Sequence, residues 1–122
     1  MFMLLKFLNF WFPVLVYSGI IFAASSIRDV NIPGGIPNSD KLIHVLEYMP
    51  FGFLLARALN SLGLKLSVWQ LWVLVAFLTF GYGLTDEWHQ SFVPGRTQSI
   101  FDALADLVGG SLGSWIWIKI KR

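Results

Sequence analysis

The sequence predicts an all-α polytopic membrane protein, with four transmembrane helices in an antiparallel bundle. Two observations carry this. Of 122 residues, 56% are hydrophobic and 13% charged, whereas a soluble domain is roughly 45–50% apolar and about 25% charged. The excess is gathered into four long apolar blocks separated by short polar stretches, the pattern of repeated membrane crossing. The whole chain, 1–122, reads as a single domain. A net charge of +2, with no basic patch interleaved with aromatics, excludes a nucleic-acid partner. The absence of cysteine removes disulfides, thiolate metal ligands and a thiol nucleophile.

The spans are expected at about residues 7–24, 42–59, 66–85 and 99–118, each close to the ~20 residues that cross a ~30 Å hydrocarbon core. The first follows Lys6 and ends at Ala23-Ala24-Ser25, superficially like a signal peptide. Its apolar run exceeds the ~7–15 residues of a signal core, so it is read as a retained helix. "SSIRDVNIPGGIPNSD" (Ser25 to Asp40) then breaks the helix with two prolines and Gly-Gly, and Asn38, Ser39 or Asp40 can cap the second span. The short "NSLGLK" (Asn60 to Lys65) makes the second and third spans antiparallel neighbours. Pro94-Gly95 turns the chain from the third span towards the fourth, which Thr97 or Ser99 can cap.

With four spans both termini share a side. That side carries Lys6, Arg57, Lys65, Lys119, Lys121 and Arg122, whereas the other carries Arg28, Lys41 and Arg96. The positive-inside rule therefore places both termini in the cytoplasm. Trp11, Trp69, Trp72, Trp115 and Trp117 fall near the cytoplasmic ends as an expected interfacial belt. Every acid in the chain lies in the outer half: Asp29, Asp40, Glu47, Asp86, Glu87, Asp102 and Asp106.

Helical spacing organises these acids. Asp40, His44, Glu47 and Tyr48 share one face of the second span. Gly83, Asp86 and Gln90 share a face at the end of the third, with Glu87 beside them. Asp102 and Asp106 share a face of the fourth, continuing as Ala105, Gly109, Gly110 and Gly113. Small residues let helices approach closely in lipid, so this face is expected to pack on another helix and turn the acids into the bundle. Glu47 and Asp106 sit on the order of 10 Å below the outer helix ends. A carboxylate at such depth costs a few kcal/mol. With Lys41 and Arg96 as the nearby cations, and His44 and His89 as possible helpers, the acids need retained protons, a bound cation or a watery, outward-facing pocket.

Ordinary roles exist for each piece: Asp40 as a helix cap, Arg96 snorkelling to headgroups, Trp88 and Phe92 as interfacial anchors. An ion-pair network, with Arg96 bridging Asp86 or Asp102, could tie the helices together. The conjunction favours a ligand-binding pocket formed by His44, Glu47, Tyr48, Asp86, Glu87, Gln90, Arg96, Asp102 and Asp106.

The same residues carry a family resemblance. "DKLIHVLEYMPFGFLLARAL" followed by "LTDEWHQSFVPGRTQSIFDALADLVGG" resembles the VanZ-like family of small bacterial integral membrane proteins, over nearly the whole chain. The H-x-x-E-Y element is His44, Glu47 and Tyr48; D-E-x-x-Q with a following Arg is Asp86, Glu87, Gln90 and Arg96; D-x-x-x-D is Asp102 and Asp106. The family's namesake is associated with resistance to the glycopeptide teicoplanin, which implies a cell-envelope role for some relatives.

Two function classes compete. A membrane protein could bind or modify a lipid headgroup, lipid-linked sugar or glycopeptide-type ligand, with Arg96 pairing to a phosphate or carboxylate. A metal-dependent enzyme acting on a lipid-linked substrate would hold a hard divalent cation with a set drawn from His44, Glu47, Asp86, Glu87, Asp102 and Asp106, with His89 a further possibility. Its catalytic candidates are His44, Glu47, Asp86 and Glu87. No H-E-x-x-H spacing or serine elbow supports a known hydrolase. The inner halves of the spans lack acids, which disfavours a proton or ion relay. A structural scaffold completes the alternatives.

Overall fold

The computed structural model describes residues 1–26, 39–95 and 99–121, and among these the only regular elements are helices. They are α1 (Phe2–Phe10), α2 (Phe12–Ser25), α3 (Ser39–Asn60), α4 (Val68–Gln90) and α5 (Ile100–Lys121). The first expected span is thus longer than 7–24 and broken at Trp11. Pro13 explains the break: lacking an N–H, it leaves the Asn9 carbonyl without its helical donor. Arg57 of α3 supplies the missing donor, its Nη1 lying 2.8 Å from Asn9 O, while its guanidinium stacks 4.4 Å over the Phe10 ring.

Ser67 starts α4. Its hydroxyl accepts from Gln70 N at 3.1 Å, and its own N–H donates to Gln70 Oε1 at 2.9 Å, a reciprocal capping box. Ser67→Ala is expected to lower stability by about 1 kcal/mol, read as a lower unfolding midpoint with faster amide exchange at Gln70. Gly63 and Gly95 adopt positive φ (72° and 82°) at the turns after α3 and α4, as the Gly-containing loops predict. α4 runs on to Gln90, past the expected end near 85, so Asp86, Glu87 and Gln90 remain helical.

The rods run up and down. Arg57 meets Asn9 while Tyr17 donates to the Glu47 carbonyl, so α3 is antiparallel to α1–α2. Tyr82 donates to Ser18 O at 2.6 Å and His89 meets Ser26 at 2.9 Å, aligning α4 with α2. α3 and α5 run parallel and form the most extensive contact in the molecule. Here the small face of α5 packs as expected. A Cβ on Gly109 would collide with the Val45 carbonyl, one on Gly113 with the Met49 carbonyl, and one on Gly52 with the Gly110 main chain. The backbones are therefore in direct contact.

Three helical segments are long and apolar enough to cross a membrane: Phe2–Ser25, Asp40–Asn60 and Val68–Gln90. α5 is of similar length but is not among them. The reason lies in its two faces. Asp102, Asp106, Gly109, Gly110, Gly113 and Ser114 are buried against its neighbours, whereas Phe101, Leu104, Val108, Leu112, Ile116 and Ile120 face outward. An average over the helix counts polar residues that do not face its surroundings.

The hydrophobic core joins Ile21, Tyr48, Leu55, Leu71, Val75 and Trp117. Trp117 is only 4% exposed and so departs from the expected belt. Trp69, Trp72 and Trp115 do form a contiguous aromatic group, with successive ring centroids 5.2 and 6.2 Å apart.

Candidate functional site

At the end of the bundle away from those tryptophans, the first turns of α3 and α5 meet the last turns of α4. Each helix contributes polar groups at helical spacing, and close packing of α3 on α5 brings them together. His44 lies between both acids of α5. Its Nδ1 donates to Asp106 Oδ1 at 2.7 Å, and its Nε2 lies 3.7 Å from Asp102 Oδ2. Lys41, one turn earlier on α3, reaches Asp102 Oδ1 at 2.5 Å and Asp40 Oδ2 at 2.7 Å.

From α4, Asp86 Oδ2 accepts from the Tyr48 hydroxyl at 3.4 Å and from Gln90 Nε2 at 3.5 Å. Glu87 Oε2 accepts from the main-chain N–H of Ser99 at 2.7 Å, immediately before α5. A helix N-terminus favours negative charge, so this contact both positions Glu87 and ties α4 to α5. Ser99 also caps α5, its hydroxyl accepting from Phe101 N at 3.2 Å. Gly83 makes room for Asp106: a Cβ there would lie 2.8 Å from Asp106 Oδ2.

These groups are buried. Asp106 is 0% exposed, Gln90 1% and Glu87 6%, and His44, Tyr48, Asp86 and Asp102 are buried with them. Three of their oxygens have no hydrogen-bond partner among the described residues: Glu87 Oε1, Gln90 Oε1 and Asp106 Oδ2. Ligand atoms from Asp86, Glu87 and Asp106 lie within 4.8 Å of one another, as do those from His44, Glu87 and Asp102. The arrangement can present converging carboxylates to a cation, or acceptors to hydroxyl and ammonium groups.

The structure thus gathers His44, Tyr48, Asp86, Glu87, Gln90, Asp102 and Asp106. Glu47 is half-buried on the same helix and is in neither group of close ligand atoms. Arg96, together with Arg28, Asp29, Asn38 and Thr97, lies outside the described residues. His89 turns towards α2, stacking on Phe22 at 4.1 Å and meeting Ser26. Trp88 and Phe92 are exposed and pack edge to face at 5.4 Å, consistent with surface anchors. Lys41, in the sequence only a nearby charge, is part of the cluster, and its place three residues before His44 is the available signal. Tyr17 and Tyr82, which fasten α2 beside the cluster, carried no comparable spacing signal.

An all-helical bundle with membrane-length apolar helices and a buried carboxylate–histidine cluster defines an integral membrane protein built around a polar site. A family model described as VanZ/LLP1 matches residues 2–121, and the chain belongs to that family. No curated protein and no solved structure gives a match.

Proposed function

We propose that this end of the bundle binds, and in an enzymatic version of the same role modifies, a polar ligand of the bacterial cell envelope: a lipid headgroup or a lipid-linked sugar or peptide. In this reading α5 is the fourth crossing. Its outward face is apolar, and the Lys and Arg distribution supports an orientation with both termini on the cytoplasmic side of the inner membrane. The cluster then faces the outer leaflet, within reach of envelope precursors. A glycopeptide-resistance role of the kind associated with the family's namesake would be one use of such a site.

The supporting observation is the set of buried oxygens on Glu87, Gln90 and Asp106 that find no partner among the described residues. A packed structural network tends to pair such atoms, since each one left unpaired costs about 1–3 kcal/mol. Unpaired acceptors beside fastened ones are instead suited to a ligand. The test is native mass spectrometry of protein extracted with its lipids. The expected result is an envelope lipid retained at one per chain by the parent protein and lost in Asp86→Asn/Glu87→Gln. Equal retention by a folded double variant would overturn the reading and favour a scaffold.

A further inference from the structure

The geometry points to a hard divalent cation held by Asp86, Glu87 and Asp106, resting on the ligand role proposed above for the same cluster. Two independent features lead there. The first is spacing. One oxygen from each of these residues lies within 4.8 Å of the others, a separation that fits ligands around a single ion with metal–oxygen distances of about 2.1–2.5 Å. The second is the unmatched atoms. Asp106 is fastened through Oδ1 to His44, and Glu87 through Oε2 to Ser99 N. The remaining oxygens, Asp106 Oδ2 and Glu87 Oε1, are buried without a partner among the described residues. Asp106 and Glu87 are thus each oriented by one oxygen, and the other is placed for coordination.

The alternative set of His44, Glu87 and Asp102 is less suited. Lys41 already neutralises Asp102, and both His44 nitrogens face α5 carboxylates. His44 therefore acts as a positioning residue, setting Asp106 from behind. An all-oxygen set selects magnesium, manganese or calcium over softer ions. Such an ion also offsets two of the three carboxylate charges and becomes the largest local charge in the site. Carboxylates alone repel a phosphate, whereas a cation with open positions can bridge them to one. The ligand class that follows is phosphate-bearing.

The test uses full-length protein in lipid nanodiscs, stripped with EDTA and titrated with manganese(II), with the free ion followed by electron paramagnetic resonance. One manganese per chain is expected, displaced by magnesium. Asp106→Asn and Glu87→Gln should each abolish stoichiometric binding, His44→Gln should weaken it about tenfold, and Asp40→Asn, on the exposed side of Lys41, should leave it intact. Absence of a stoichiometric site in the parent protein overturns the proposal, as does full binding by a monodisperse Asp106→Asn/Glu87→Gln variant. If lipid is retained in EDTA while no manganese site appears, the cation fails and the lipid reading stands. Manganese bound without any retained lipid supports the cation and removes the lipid reading.

Discussion

Gly113→Val is expected to unfold the polar end of the molecule as well as the point of substitution. Gly113 sits where α5 touches α3, and its missing Cβ leaves room for the Met49 carbonyl and the Phe53 main chain. Rotamer changes cannot relieve a clash with backbone, so the two helices must separate. In lipid no hydrophobic force between helices compensates; their association rests on close packing and polar contacts. The cost should be about 2 kcal/mol or more, at the upper end of overpacking penalties. Separation also draws Asp102 and Asp106 away from Lys41 and His44, so ligand retention should fall with stability. Gly81→Ala is the control: it is helical with nothing within 4 Å of the added Cβ, and should be neutral or slightly stabilising. Thermal unfolding of both variants in the same nanodiscs checks the contrast. Equal midpoints would show that α3 and α5 do not depend on this contact.

That contact also explains why much of the site could be read from the sequence. Ala105, Gly109 and Gly113 continue the face that begins with Asp102 and Asp106, so a face made for close packing necessarily turns its acids inward. His44 and Tyr48 follow from the same helical period on α3. The period does not resolve neighbours on one face: Glu47 is one residue from Tyr48, about 100° around the helix, and the structure leaves it half-buried while Tyr48 is fully buried. Histidine partners were equally open, because His44 and His89 both end up beside other helices and only packing decides that His89 meets α2. The break at Trp11 follows from Pro13, but the donor that meets the freed Asn9 carbonyl, Arg57, is long-range and local pattern does not specify it. The averaged polarity of α5 is ambiguous until its buried and outward faces are separated.

Asp106→Asn should separate stability from function. Asp106 is wholly buried; Oδ1 accepts from His44, Oδ2 has no partner among the described residues, and one of its oxygens lies within 4.8 Å of oxygens from Asp86 and Glu87. Asparagine keeps the shape and keeps an oxygen for His44. Its amide nitrogen replaces an unmatched acceptor with a donor that neighbouring carboxylates can accept from. Repulsion among acids becomes hydrogen bonding, so in chelator the variant should equal the parent protein or exceed it by about 1 kcal/mol. Asp106→Leu removes the His44 partner as well and should cost about 1–3 kcal/mol. Adding manganese should reverse the order of the first pair: the parent protein gains stability by mass action, and Asp106→Asn does not. This is the trade expected when a site holds groups in place for a ligand and not for the fold. Unfolding midpoints of the three proteins, with and without the ion, supply the measurement. If Asp106→Asn in chelator falls as far as Asp106→Leu, the carboxylate charge itself holds the helices together, and the cluster is a structural ion-pair network.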